Sequence, residues 1–149
     1  MEIREVKSVE EARICDSLLT KLIQDEAKYN KLVNPNFVVN NYFENIYMNE
    51  TNSLLIAVDN NIIIGYIFNK IIDSEVDNIK LSLIDGLYVE SEYRNKGIAS
   101  SLIESSLKWA KTKNINAVKI KVITENEAAL KLYEKFNFGE IAKEMINYI

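Results

Sequence analysis

The chain has 149 residues, of which 48% are hydrophobic and 27% are charged, and its formal net charge is −4. This size and balance are typical of a single globular domain rather than a disordered chain. The acidic balance excludes a general nucleic-acid-binding protein, since affinity for a phosphate backbone needs a basic face. Cys15 is the only cysteine, no secretory signal opens the chain and no apolar run could span a bilayer, so we expect a cytoplasmic protein without membrane partners. No histidine is present, which leaves carboxylates, tyrosines, lysines, Cys15 or water for acid–base chemistry.

The first half of the chain predicts a strand, two helices and a two-stranded hairpin. Ser8 and Glu11 form a capping box that begins the first helix, and Asn34-Pro35 separates this helix from the second. Asp59-Asn60-Asn61 supplies the turn of the hairpin. The predicted bounds are Glu2–Lys7 for the strand, Phe37–Met48 for the second helix, and Ser53–Val58 with Ile62–Ile72 for the hairpin.

The second half alternates strands and helices. The predicted elements are a strand over Ile79–Val89, a third helix over Ala99–Lys113, a strand over Ala117–Ile123, a fourth helix over Glu125–Phe136, and one or two strands within Phe138–Tyr148. Gly86 interrupts the first of these strands, which indicates a bulge or a close approach of backbone. Hairpins combined with crossovers predict one α/β domain over residues 1–149, with a mixed sheet and helices on both faces.

A basic loop, Arg94-Asn95-Lys96-Gly97-Ile98-Ala99, joins the fourth strand to the third helix. The start of a helix leaves backbone N–H groups unpaired, and Gly97 leaves room for a ligand to approach them, so the loop predicts a phosphate site. Taken alone, the loop is equally consistent with a surface turn that carries solvated charges. Neither Gly-x-x-x-x-Gly-Lys-Ser/Thr nor Gly-x-Gly-x-x-Gly occurs, which argues against a nucleotide-binding protein.

Two blocks of sequence carry a family resemblance. In the first, Arg94, Gly97 and Ala99 satisfy the pattern Gln/Arg-x-x-Gly-x-Gly/Ala, with Ala99 in place of the commoner glycine. The second, Asn126 to Phe138, is similar to Asn-x-x-Ala-x-x-Leu-Tyr-x-Lys-x-Gly-Phe, with Asn137 in place of the usual glycine. Together they resemble the acetyl-CoA site of the GCN5-related N-acetyltransferase (GNAT) superfamily. The resemblance covers essentially the whole chain and implies a central mixed sheet of six to seven strands flanked by about four helices.

The resemblance implies acetyl-CoA as the acetyl donor, with no metal. Backbone N–H groups of the basic loop would hold the pyrophosphate, and the fourth and fifth strands would splay near Gly86 to admit the pantetheine arm. Without the resemblance, the apolar residues of this strand are simply core, and Asn126 is simply a helix cap. The cofactor-binding residues that it implies are Leu87, Tyr88, Val89, Arg94, Asn95, Lys96, Gly97, Ile98, Ala99, Ser100 and Asn126.

Tyr133 and Asp85 are the candidate catalytic residues. Attack of an amine on a thioester expels a thiolate, and a tyrosine with a pKa of about 10 can protonate it. The amine enters as an ammonium ion, and the carboxylate of Asp85 could accept its proton directly or through water. The alternatives are a Tyr133 that only packs in its helix and an Asp85 that is only an exposed charge. Cys15 is interpreted as a small buried hydrophobic residue rather than a nucleophile.

The expected function is transfer of an acetyl group from acetyl-CoA to a primary amine, by direct attack in a ternary complex. The position of Asp85 and the acidic balance favour a small cationic acceptor such as a polyamine. A protein or peptide amine is the alternative acceptor. A non-catalytic module that binds acyl-CoA is the alternative of another class, and the presence of both Tyr133 and Asp85 argues against it. The resemblance also admits a homodimer formed through the C-terminal strands.

Overall fold

The computed structural model describes residues 1–149 and contains five strands and three α-helices. In chain order the elements are β1 (Glu2–Glu5), α1 (Val9–Glu26), β2 (Asn52–Asp59), β3 (Ile62–Ile72), β4 (Leu81–Val89), α2 (Ile98–Thr112), β5 (Ala117–Ile120) and α3 (Glu127–Lys135). The strands form one sheet in the order β1-β2-β3-β4-β5, in which the first three pairs are antiparallel and β4 and β5 are parallel. The predicted mixed sheet is therefore confirmed. No helix of this chain combines the length and the apolar character that crossing a bilayer requires.

Local sequence signals account for the first helix and the hairpin. The hydroxyl of Ser8 accepts a hydrogen bond of 3.2 Å from the backbone N–H of Glu11, whose carboxylate accepts one of 2.8 Å from the N–H of Lys7. The turn between β2 and β3 places Asn60 and Asn61 at φ 48° and 64°, a left-handed pair that matches the twist of a hairpin. Both predictions are confirmed.

The sheet separates two hydrophobic clusters. On one face, α1 packs Cys15 and Leu18 against a cluster that includes Phe43 and Tyr66. On the other face, α2 contributes Ile98, Leu102 and Ile103, and α3 lies at the edge of this second cluster. Helices thus cover both faces, as the order of elements predicted, and the end of α1 and the whole of α3 lie on opposite sides of the sheet.

The predicted helix over Phe37–Met48 is wrong, because only Phe43–Asn45 forms a single 3-10 turn. The buried carboxylate of Asp16 accepts hydrogen bonds from the N–H groups of Tyr42 and Phe43, at 3.3 and 2.9 Å. The hydroxyl of Thr20 accepts another from the N–H of Val39, at 3.0 Å. Side chains of α1 therefore bind backbone N–H groups of this segment in a non-helical arrangement, and Phe43 is buried in the core.

The predicted strands within Phe138–Tyr148 are also absent, and residues 139–149 are exposed without regular structure. The apolar residues Ile141, Met145, Ile146 and Tyr148 do not alternate strictly, and none is buried. The sheet therefore has five strands instead of six to seven, and the C-terminal segment through which a homodimer was expected forms no strand within the chain. With the second helix lost as well, three α-helices remain instead of about four.

Candidate active site

The loop before α2 presents a row of unpaired backbone donors. No N–H group from Asn95 to Ser100 donates a hydrogen bond within the chain, and the first one that does is that of Ser101, to the carbonyl of Gly97 at 3.0 Å. Asn95 and Gly97 adopt left-handed backbone conformations, with φ of 61° and 78°. A Cβ atom at Gly97 would meet nothing within 4 Å, so the space in front of the loop is open. Such a helix start, with its positive dipole end, suits an anionic group.

The two basic side chains of the loop are engaged elsewhere. The guanidinium of Arg94 donates to the carbonyl of Val89 at 2.9 Å, pairs with Asp25 at 3.2 Å and lies over the ring of Tyr88 at 5.1 Å. The ammonium of Lys96 donates to the carbonyl of Glu92 at 3.3 Å. Because an acidic residue offsets the charge of Arg94, the backbone N–H groups are the main anion-binding feature of the loop.

The pairing of β4 and β5 stops before β4 ends, and we call the space beside the unpaired part of β4 the slot. Their parallel pairing ends at Ile84 and Ile120, although β4 continues to Val89. On its other side, β4 pairs Ile84 with Asn69 and Gly86 with Phe68, so Asp85 is the extra residue of a β-bulge. The end of this pairing agrees with the splay that the resemblance implied near Gly86, and β5 ends three residues before the predicted Ile123.

The backbone of β4 beyond the bulge faces the slot at alternate residues. Glu90 donates its N–H to the carbonyl of Ile64, and Tyr88 lies opposite Tyr66, so Tyr88 directs its backbone groups toward β3. Leu87 and Val89 therefore direct theirs toward the slot. The carbonyl of Val89 is held by Arg94, which leaves the N–H of Val89 and both backbone groups of Leu87. An extended ligand could pair with these groups as an additional strand would.

Tyr133 lies on α3, on the side of the slot formed by the second hydrophobic cluster. Its ring packs edge-on against Phe138, with centroids 6.1 Å apart. Burial, together with the negative charge of Glu26, raises the pKa of the Tyr133 hydroxyl to about 12. Glu26 is the last residue of α1, which packs on the opposite face of the sheet.

Asp85 and Glu26 place two carboxyl groups on the α1 side of the slot. The carboxylate of Asp85 pairs with the ammonium of Lys70 at 3.1 Å, and their side chains are 38% and 37% exposed. Partial burial of the Glu26 carboxyl group raises its pKa, and the nearby charge of Asp85 raises it further. This side of the slot therefore presents acceptors for an ammonium ion or its proton.

Another part of the chain closely approaches the backbone at Gly86, as a glycine within a strand predicted. A Cβ atom built on Gly86 would lie 2.6 Å from the hydroxyl oxygen of Tyr66. That hydroxyl is completely buried, has no hydrogen-bond partner, and burial holds the pKa of Tyr66 well above its usual range. Tyr66 thus fills the space beneath the bulge.

Local structural roles are visible for three other residues that the sequence analysis named. The side chain of Asn126 caps α3 by accepting a hydrogen bond of 3.3 Å from the N–H of Ala129, and Asn137 takes a left-handed φ of 64° just after that helix. Both geometries agree with the sequence analysis. Cys15 is buried, and burial raises the pKa of its thiol to about 12, which makes it a poor nucleophile, as predicted.

Sequence reasoning missed three residues of this site, namely Glu26, Tyr66 and Lys70. Tyr66 and Lys70 belong to the hairpin that precedes the bulge, and only the register between β3 and β4 brings them to Gly86 and Asp85. The close-approach signal of Gly86 could have prompted a search for a large residue opposite it. No local signal marks Glu26.

Comparisons with known proteins agree with this architecture. The family model described as "Acetyltransferase (GNAT) family" matches residues 18–138. The N-alpha-acetyltransferase of Saccharolobus solfataricus is 36% identical over 60% of this chain, and the chain spans 58% of its length. The N-alpha-acetyltransferase of Sulfurisphaera tokodaii is 29% identical, with 95% of this chain and 88% of that protein covered. Among solved structures, a mutant of the BH1408 protein from Bacillus halodurans superposes with a TM-score of 0.89 and 20% identity, over 100% of this chain and 99% of that one.

The matched family model covers most of the sheet, α2, α3 and the slot between them. This chain belongs to the GNAT acetyltransferase family. The fold and the family resemblance expected from the two sequence blocks are thereby confirmed.

Proposed function

We propose that this member of the GNAT acetyltransferase family transfers an acetyl group from acetyl-CoA to a primary amine within a ternary complex. The diphosphate would lie on the N–H groups of residues 95–100, and the pantetheine arm would run along Leu87 and Val89. The amide of Asn126, beyond its capping role, would be available to the same arm. The acetyl group would then reach the bulge of β4, with the acceptor entering from the α1 side.

One observation supports the proposal: Asp85 is the bulged residue where the pairing of β4 and β5 ends, and Tyr133 packs with the second hydrophobic cluster on the other face of the sheet from α1. In the proposed reaction, Asp85 accepts a proton from the ammonium group, and the amine nitrogen attacks the thioester carbon. A slot-facing N–H of β4, such as that of Leu87, stabilises the oxyanion of the tetrahedral intermediate. The carbon–sulfur bond breaks, and Tyr133 donates a proton to the departing thiolate. The nitrogen then loses its second proton, which balances the one that Tyr133 donates.

The loop can be tested by adding a negative charge where the diphosphate would lie. We expect Gly97→Asp to weaken coenzyme A binding about ten-fold or more relative to Gly97→Asn, because a carboxylate near a diphosphate is repulsive in a partly desolvated site. Isothermal titration calorimetry with coenzyme A measures the difference.

Gly97→Asn is the matched control, because Asn and Asp have similar shapes and both tolerate the left-handed φ of 78°. The difference in coenzyme A affinity between the two variants should become smaller at high salt, since salt screens the repulsion. If both variants bind coenzyme A equally well at low salt, the diphosphate does not bind at this loop.

For the acceptor, we propose the α-amino group of a peptide or protein. Two relatives named N-alpha-acetyltransferases support this choice. The ion pair with Lys70 also offsets the charge of Asp85, so the bulge alone does not demand a multiply charged acceptor. A small cationic amine is the second candidate, which Glu26 favours because it adds a second carboxyl group near Asp85.

A panel of amines discriminates between these acceptors. It also shows whether the chain is an enzyme or a non-catalytic module that binds acyl-CoA. Peptides with free N-termini, the same peptides with blocked N-termini, polyamines and aminoglycosides are each incubated with acetyl-CoA, and released thiol is measured. We expect thiol release with the free peptides and little with the blocked ones. Faster release with polyamines would select the second candidate. If coenzyme A binds but no amine releases thiol, the chain is a binding module.

A further inference from the structure

The side chain of Lys70 places a primary amine of the chain itself beside Asp85, the proposed general base. The ammonium nitrogen of Lys70 is 3.1 Å from a carboxylate oxygen of Asp85, the bulged residue at the mouth of the slot. Lys70 of β3 lies opposite Leu83 of β4, two residues after the register shift that the bulge causes between Phe68 and Asn69. An ion pair that is this exposed contributes little to stability.

The proposed mechanism places the acceptor nitrogen within about 2.6–3.2 Å of the base that deprotonates it. Lys70 meets this requirement with an alkyl ammonium group, which is the chemical class of the acceptor. We propose that Lys70 is an internal acceptor and that the chain acetylates its own Lys70 at this site. This inference rests on the proposed function, since it uses the same donor and the same two catalytic residues.

The step needs no reactant besides acetyl-CoA. Asp85 accepts one proton from the Lys70 ammonium and later releases it to solvent. The neutral nitrogen attacks the thioester carbon, a carbon–nitrogen bond forms and the carbon–sulfur bond breaks. The nitrogen loses a second proton, which balances the proton that Tyr133 donates to the thiolate. The products are an acetylated Lys70 and coenzyme A.

Acetylation has a local consequence for charge. The amide that forms carries no positive charge, so Asp85 loses its only ionic partner in the chain. Its carboxylate then becomes available to the ammonium group of an incoming acceptor. The modification would therefore prime the site for amines, whereas the unmodified lysine competes with them.

Other lysines offer internal controls. Lys21 pairs with Glu90, and Lys28, whose side chain is 72% exposed, pairs with Asp25, so neither contacts Asp85. Lys28 reports slow chemical acetylation by the thioester, because it is more accessible than Lys70. Lys70→Arg keeps the charge of the ion pair but removes the acetylatable amine.

The test incubates the purified full chain with acetyl-CoA and no acceptor, and follows each lysine by peptide mass spectrometry. We expect Lys70 to gain an acetyl group at least about ten-fold faster than Lys28, because it is held next to the reacting groups. The rate should not change when the protein is diluted. Tyr133→Phe should slow the reaction at Lys70 and leave Lys28 unchanged, and Lys70→Arg should abolish the fast modification.

The outcomes separate this inference from the function it rests on. If the amine panel releases thiol while Lys70 is acetylated no faster than Lys28, the internal acceptor is excluded and the transferase stands. A Lys70 rate that rises with protein concentration would also exclude it, as would a Lys70 rate that is unchanged in Tyr133→Phe although that variant slows thiol release with the amine panel. If neither the panel nor Lys70 reacts, both proposals fail.

Discussion

Replacing Tyr133 with phenylalanine should lower kcat about 100-fold or more while leaving the affinity for acetyl-CoA nearly unchanged. The substitution removes one hydroxyl group and keeps the ring that packs against Phe138. The lost group would act only when the thiolate departs, so its absence should affect the chemical step and not donor binding. Steady-state kinetics with the best amine of the panel, together with calorimetry for acetyl-CoA, measures both quantities.

The raised pKa of Tyr133 bears on this role. A hydroxyl with a pKa of about 12 is a weak acid for a thiolate whose conjugate thiol would have a pKa near 8.5 in water. The gap of about 3.5 pKa units corresponds to about 5 kcal/mol. Burial in the same protein, however, raises the pKa of the Cys15 thiol to about 12. A thiolate leaving inside the slot would also be partly desolvated, which raises the pKa of its conjugate thiol and narrows the gap.

A pH profile follows from the same value. Because its pKa is raised, Tyr133 stays protonated up to about pH 11, and its ionisation should cause no loss of kcat below that pH. Tyr148→Phe is the matched control, since it removes a tyrosine hydroxyl from the exposed C-terminal segment and should leave kcat unchanged. If Tyr133→Phe turns over as fast as the wild type, Tyr133 has no part in the proton transfer.

The parts of the fold that the sequence predicted correctly depend on neighbouring residues. The capping box at Ser8 and the two asparagines of the hairpin turn act within a few residues, so their geometry is encoded locally. Gly97 and Tyr133 lie in spaced motifs whose family pattern already specifies their surroundings. These signals need no knowledge of how distant segments pack.

The features that the sequence analysis predicted wrongly or missed depend on contacts between residues that are distant in the chain. The segment Phe37–Met48 has a helical pattern, but Asp16 and Thr20 of α1 bind its backbone N–H groups and override that tendency. Lys70 reaches Asp85 only through the register of β3 and β4, and Glu26 reaches the slot only through the packing of α1. Contacts of this kind depend on the tertiary arrangement and leave no trace in local spacing.

Gly86→Ala should both destabilise the protein and reduce its activity. The added Cβ would lie 2.6 Å from the Tyr66 hydroxyl and 3.2 Å from two atoms of its ring, all of which are held in a packed core. Overpacking of this kind costs about 1–3 kcal/mol, and for a domain of this size each kcal/mol lowers the Tm by roughly 2–4 °C. Relief of the clash would displace β4 at the bulge that carries Asp85, and a misplacement of about 1 Å can cost 100-fold in rate.

The Tyr66→Phe background shows whether the clash is the cause. Tyr66→Phe alone removes a buried hydroxyl that has no partner, so we expect little loss of stability or activity. In Tyr66→Phe/Gly86→Ala the closest atom of the clash is absent, so part of the lost Tm and kcat should return. The double-mutant cycle should give a coupling free energy of unfolding of about 0.5–3 kcal/mol. The ring atoms at 3.2 Å remain, so recovery should be incomplete. Strictly additive effects in this cycle would mean that the Tyr66 hydroxyl does not support the bulge, and that Gly86 serves only the backbone of β4.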